Sequence, residues 1–387
     1  MKRFNFNFKS WFKFKLNKRG VILLIVALLS LSMVTTIIVI GSIKSKKNAV
    51  QQTIVSSDEI TPEPIQDPEN IESDSGSSGD SSPSSSPAGE KENVFIYPKE
   101  DLRPIAVIID NEGGKVLPQG GIGQAQIVYE VITEYGITRY IALFWDNLPD
   151  LIGPVRSLRH YFLDYLMEYN PILTHVGWSD YAYWDLQKFE IDNIDGVMKE
   201  SGGVFWDLTR EKDNYHDTYT SPERLSKYIA DNEYSLLNDI SLPIEYHTHD
   251  KDPESTQTAK DIFIKYNTNS NCGYYYDSTE KNYKRTRQGQ FQTDRNTKET
   301  IRVKNIVIQY VKNESIVGDT CGRQELYTTG SGKGYFITNG LAQEITWEKS
   351  SRTSHTEYRD AKGDKIKLNP GQTWIQIVPP EATVNIK

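Results

Sequence analysis

The sequence predicts an α+β protein overall: an N-terminal α/β domain followed by a C-terminal antiparallel β-rich domain, both placed after one transmembrane helix and a disordered linker. Three observations predict it. Residues 21–40, "VILLIVALLSLSMVTTIIVI", form a run of twenty without a charge. At roughly 1.5 Å per residue a helix of that length spans about 30 Å, the hydrocarbon core of a bilayer. "PIAVIID" (104–110) and "PILTHVGWS" (171–179) read as buried strands separated by stretches of helical spacing. From residue 256 the chain turns to short, alternating aromatic and β-branched segments divided by turns such as "DAKGD" and "NPGQ".

The N-terminal elements follow from charge and composition. Residues 1–20 are a basic segment with seven Lys or Arg and no acid, and Lys44, Lys46 and Lys47 follow the apolar run. This imbalance keeps the N-terminus inside and sends the rest of the chain out of the cytosol. The apolar run, taken as an anchor over 21–41, exceeds a signal peptide's core of roughly 7–15 residues, and "VIGSIKSKK" is a poor cleavage site. Residues 42–93 are rich in Ser, Pro and acids, with "DSGSSGDSSPSSSPAGE" the densest stretch. They have too few apolar residues to bury and read as a disordered spacer.

After residue 93, 42 acidic residues face 33 basic ones. A surface that acidic has no overall attraction to nucleic acid, so no nucleic-acid partner is expected. The two cysteines, Cys272 and Cys321, lie outside the cytosol under this topology, where one disulfide between them is permitted.

Residues 94–240 read as the α/β domain. "IVYEVIT" and "RYIALFWD" are further strands. Leu158, Tyr161, Phe162, Tyr165, Leu166 and Tyr169 share one helical face. "SPERLSKYIADN" opens with Ser221 as N-cap and Pro222 at the first helical position. Residues 241–255 connect to the β-rich domain, 256–387.

The candidate chemistry centres on "GPVRSLRHYFLDYL" (153–166). Ser157 caps the predicted helix, while Arg156 and Arg159 flank its start. Positive charge there opposes the helix dipole, which an anionic ligand would resolve. The alternative is that each arginine pairs with a nearby acid, such as Asp146 or Asp164, and only fixes the fold. Ligands of open α/β sheets bind beyond the strands' C-terminal ends. Asp110 and Asn111, Asp146, and His175 with Ser179 stand at such ends, and share one rim if the strands are parallel. Arg210 and His216 join them from a loop. His175 and Ser179 are a candidate nucleophilic pair, but "HVGWS" lacks the Gly-x-Ser-x-Gly elbow. "GSGKG" (330–334) lacks phosphate-loop spacing and reads as a hairpin turn. His247 and His249 lack other evident ligands, so no metal site and no cofactor are expected.

Taken together, "RPIAVIIDN", "LPQGGIGQAQIVYEVITEYGITRY", "GPVRSLRHYFLD", "HVGWS", "HDTYTS" and "LNPGQTWIQIVP" resemble the YerB-like family, described as lipoproteins of Gram-positive bacteria. The resemblance runs in order through residues 94–387. It implies two regions of unknown function and supplies no reaction. Asp110, Arg139, Arg156, Ser157, Arg159, His175 and His216 match the family's pattern. The lipidated cysteine is absent, with the apolar run in its place. Gln126 and Asp217 also depart, which puts catalytic roles for those two in doubt.

The leading expectation is a membrane-anchored extracytoplasmic protein that binds an anionic envelope polymer or precursor, such as peptidoglycan or teichoic acid. Arg156, Ser157, Arg159, Asn111, Arg139 and Arg210 are its expected ligand-binding residues. Asp110, His175 and His216 are the candidates for acid–base chemistry if the protein is instead a hydrolase or transferase on that polymer. A scaffold that docks an envelope protein through the tyrosine-rich β domain is the third reading.

Overall fold

The computed structural model describes residues 95–387, except 147, 210 and 213. The expected basic segment (1–20), anchor (21–41) and linker (42–93) lie outside the described residues. Among the described residues, no helix is long and apolar enough to cross a membrane.

β1 (Ile105–Asp110), β2 (Ile127–Ile132) and β3 (Thr138–Phe144) are buried along their whole lengths. Their directions depart from the parallel arrangement that would align Asp110, Asp146 and His175 on one rim. β2 and β3 are antiparallel, and so are β3 and β1. The reason is the connection between β2 and β3, residues 133–137. A parallel crossover needs a dozen or more residues. The antiparallel register sets Asp110 opposite Arg139. Asp146 falls at the far rim, where it pairs with Lys99.

β4 (Ile172–His175) and β5 (Asn193–Asp195) extend the sheet in parallel beyond β1. β1 and β4 pair only over residues 105–107 and 172–174. Past that point they diverge, and residues 154–158 fill the gap as an extended wedge. Asp110 N donates to Pro154 O at 2.8 Å and Arg156 N to Ile108 O at 2.8 Å. On the wedge's other side, Val176 N donates to Arg156 O at 3.1 Å and Leu158 N to Gly177 O at 3.0 Å.

This pairing corrects the predicted helix start. α1 (His160–Leu166) begins with Arg159 in the cap position, in extended conformation and without a side-chain cap. Ser157 and Leu158 are committed to the wedge, because two strand edges offer their backbone more hydrogen bonds than one helix end. α2 (Asp180–Lys188) is capped by Ser179, whose Oγ accepts from Ala182 N at 3.2 Å. α3 (Pro222–Asp231) starts where Ser221 and Pro222 predict, although Ser221 makes no side-chain cap bond.

In the second half of the chain, β6 (Asp261–Lys265), β7 (Asn271–Asp277) and β8 (Asn282–Arg287) form an antiparallel meander. β9 (Asn305–Tyr310), β10 (Gly330–Thr338), β11 (Leu341–Lys349), β12 (Glu357–Arg359), β13 (Thr373–Val378) and β14 (Thr383–Ile386) follow. β14 returns to pair with β6. The expected domain boundary near 241–255 is not a boundary of the main sheet. One eleven-stranded sheet runs β12-β11-β10-β9-β13-β2-β3-β1-β4-β5, with a short strand, Gln257–Thr258, pairing with β11.

The junction is β13, parallel to both β9 and β2 and buried throughout. The second half is therefore not purely antiparallel. "TWIQIV" is a near-continuous apolar run of the kind that central parallel strands carry, which corrects its expected place among the antiparallel strands.

"GSGKG" is also corrected: it lies within β10 rather than in a turn. Its glycines permit close packing. A Cβ at Gly334 would collide with the Ile308 carbonyl oxygen, and one at Gly332 would stand 2.6 Å from the Trp347 ring nitrogen. The cysteines are free. Cys272 is buried on β7, while Cys321 is exposed on a loop.

The two sheets meet around Arg285, which is fully buried. Its guanidinium lies 4.0 Å from the centroid of the Trp374 ring and pairs with Glu130 of β2. Glu130 and Arg285 thus join the two halves of the chain through a desolvated ion pair.

Candidate functional site

The wedge in the β1–β4 divergence brings Arg156 to the end of β1. Asp110, the last residue of β1, is 1 % exposed. Its Oδ1 accepts from the Glu112 backbone N–H at 2.9 Å. Its Oδ2 lies 2.8 Å from His216 Nδ1 and 3.1 Å from Arg156 Nε. His216 comes from the loop between the short paired strands Trp206–Asp207 and Thr218–Tyr219.

Burial pushes the Asp110 carboxyl up, but the hydrogen bond from His216 and the charges of Arg156 and Arg139 outweigh it and hold it below the usual aspartate range. The same hydrogen bond raises the His216 imidazole above its ordinary value. A buried carboxylate orienting a partly exposed imidazole is an arrangement that general acid–base chemistry uses.

Glu112 and Glu134 complete the charge pattern, and sequence reasoning had not singled them out. Glu112 approaches Arg156 Nη2 at 3.9 Å. Arg159 donates from Nε and Nη2 to the two Glu134 oxygens, the latter at 2.8 Å, and from Nη1 to its neighbour Leu158 O. Arg139 donates to Ser157 O at 2.8 Å, with Glu134 at 3.8 Å.

The acids that hold the two arginines of the motif are thus Asp110, with Glu112, for Arg156 and Glu134 for Arg159. Asp146 is taken by Lys99 and Asp164 by Arg352. The positions two residues beyond Asp110 and just after β2 were the available signals, since both adjoin the rim where β1 ends and β3 begins.

Two clefts are lined in part by the wedge. One of about 400 Å³ is lined by Arg156, Asp207, Lys212, Asn214 and Tyr215. The other, of about 420 Å³, is lined by Glu112, Arg139, Ser157, Arg159, Trp178 and Arg323. Burial, with repulsion from Arg159, lowers Arg139 to about 10 despite the opposing pull of Glu134.

The other candidates are placed differently. His175 is fully buried. Its Nδ1 and Nε2 lie 2.9 Å from Gly177 O and 3.2 Å from Asn193 Oδ1, and burial lowers its pKa. It is a core histidine, and Ser179 is occupied as a helix cap, so the two do not form a nucleophilic pair.

Asn111 is committed to Thr138 through its side chain, and Arg287 of β8 grips the Asn111 and Gly113 carbonyls at 2.7 and 2.9 Å. Arg210 lies outside the described residues. Gln126 and Asp217 are buried. Gln126 accepts from Trp145 N at 3.1 Å, and Asp217 accepts from Thr209 N at 3.2 Å and from its hydroxyl.

Comparison with known proteins agrees with this architecture. Residues 95–235 match the family described as "Protein of unknown function (DUF3048) N-terminal domain", and 262–375 match its C-terminal domain. A Bacillus subtilis (strain 168) protein named "Putative lipoprotein YerB" is 32 % identical over 282 residues, 72 % of this chain and 82 % of that protein. The crystal structure of the YerB protein from Bacillus subtilis superimposes with a TM-score of 0.65 at 30 % identity, covering 74 % of this chain and 94 % of that one. In sequence order, fold and paired regions, the chain belongs to the two-domain, YerB-like DUF3048 family.

Proposed function

We propose that this protein is held at the outer face of the membrane by its N-terminal apolar segment and binds an anionic envelope polymer or precursor, such as peptidoglycan or teichoic acid, at Arg156. The attachment is supported by the uncharged run with its unequal basic flanks, and by a relative whose name describes a lipoprotein. The binding reading is carried by the state of Arg156. It is partly exposed at a polar cleft. Its buried Nε also lacks a hydrogen bond, since the approach to Asp110 is close but misaligned. The field of Arg139 and Arg159 in the adjoining cleft adds to its attraction for an anion. Arg159 itself has its donors engaged, so it acts by holding Glu134.

The test uses the full-length protein in detergent micelles and purified cell wall, with and without teichoic acid. Arg156→Gln should weaken binding by roughly tenfold to a hundredfold, since a charge-assisted hydrogen bond contributes about 1.5–3 kcal/mol. Unchanged wall binding by a folded variant would refute the reading. For attachment, protease added to intact protoplasts should degrade the part after residue 93, and protection there would refute the topology.

A second reading, an envelope hydrolase or transferase, is favoured by one observation. Asp110 and His216 are in direct contact, and Arg156, which lines the cleft, faces the same Asp110 oxygen. It predicts that His216→Gln abolishes turnover of the polymer while leaving its binding in place.

A further inference from the structure

We propose that Asp110, Glu112 and His216 form a binding site for a divalent cation. Each offers one donor atom, and the three donors lie within 4.8 Å of one another. Ligand distances of about 2.1 Å around an octahedral ion place neighbouring donors about 3.0 Å apart and opposite donors about 4.2 Å apart. The 2.8 Å between Asp110 Oδ2 and His216 Nδ1 is close to the first spacing. Glu112 is 44 % exposed at its side chain, so a small rotation closes the set.

Further hydrogen bonds hold the backbone around the ligands. The Glu112 N–H fixes Asp110 Oδ1, and Oδ2, which faces His216 and Arg156, is the oxygen that would exchange its contact with the imidazole for the ion. Arg287 clamps the carbonyls on either side of Glu112, and Asn214 Oδ1 accepts from the His216 backbone N–H at 3.1 Å. Outer contacts of this kind orient metal ligands.

Donor chemistry points the same way. The two carboxylates stand among the guanidiniums of Arg156, Arg139 and Arg287, so an ion would be held by donor geometry rather than by net charge. Two carboxylate oxygens and one imidazole nitrogen suit Mn²⁺ or Zn²⁺, and three protein ligands leave positions for water or a ligand oxygen. Arg156 Nε, which lies 3.1 Å from Asp110 Oδ2 but makes no aligned hydrogen bond, keeps an N–H to offer at such a position. A water or oxyanion on the ion would accept from it.

The proposal goes beyond the polymer reading and is tested without any polymer, so the two can fail separately. Full-length protein in detergent, stripped with a chelator, is titrated with MnCl₂ while the electron paramagnetic resonance signal of free Mn²⁺ is followed. A ZnCl₂ titration by calorimetry runs in parallel. One saturable site per chain is expected. Glu112→Gln and His216→Gln should each weaken it by roughly tenfold or more, while Asp146→Asn, on the far rim, should leave it unchanged. Glu112 is exposed enough for its variant to fold, and circular dichroism verifies this. Absence of a saturable site for both ions, or binding that survives both ligand substitutions, overturns the proposal.

Discussion

The two arginines of "GPVRSLR" differ in what they have left to offer. Each guanidinium nitrogen of Arg159 is engaged by Glu134 or a backbone carbonyl, whereas Arg156 Nε faces Asp110 without an aligned hydrogen bond. Arg159 and Glu134 are both largely buried, so removing one charge strands the other in a poorly solvated place. Arg159→Gln should destabilise the fold by about 3 kcal/mol at neutral pH.

The effect has a definite sign with pH. Burial raises the Glu134 carboxyl, but the hydrogen bond and charge of Arg159, with Arg139, outweigh it and leave it below its usual value of 4.5. Its stabilising contribution is therefore full above that value and is lost as pH falls through the folded-state pKa. Thermal melts from pH 7 down to pH 3 should show the gap between wild type and Arg159→Gln narrowing with acid. A gap that stays constant would mean that the arginine acts through packing alone.

At the scale of elements, short connections and close backbone contacts decide the pattern. The five residues 133–137 between β2 and β3 leave room for an antiparallel return and nothing else. That return makes Arg139 the register partner of Asp110. In β10, Gly334 lies against the carbonyl of Ile308, a backbone atom that cannot swing away. Gly334→Ala should force β9 and β10 apart and destabilise the protein by about 2 kcal/mol, the usual scale of overpacking. Calorimetry would read this as a lowered Tm, and an unchanged Tm would mean that the strand shifts freely. A Ser331→Ala control, on an exposed residue of the same strand, should be silent.

At the scale of the whole molecule, the two family regions are one folding problem. β13, near the C-terminus, lies between β2 and β9. Arg285 of β8 neutralises Glu130 of β2 under Trp374. A fragment of residues 95–240 would expose the β2 edge and the face of the sheet that residues 261–303 cover, two faults that favour aggregation. It should be insoluble or lack a cooperative melt, whereas 95–387 should unfold in one transition. A soluble, cooperatively melting 95–240 fragment would show that the halves fold independently.

The sequence by itself determined the local vocabulary of this protein. Apolar runs marked β1, β2, β3 and β4, Ser221-Pro222 marked α3, and alternating segments marked most of the second half. It also supplied Asp110, Arg156 and His216 as separate candidates. These signals are legible because strand, helix and cap preferences depend on residues a few positions apart.

The tertiary structure alone decided which pieces meet. Asp110 and His216 are 106 positions apart, and no local spacing encodes their contact. α1 starts later than its local spacing predicts because the backbone of residues 156–158 is claimed by the edge of β1 and the segment after β4. β13 is parallel to its neighbours, against the local pattern's antiparallel expectation, because the two come from opposite halves of the chain. Backbone groups buried between strands must find partners wherever packing supplies them, and that choice belongs to the assembled molecule.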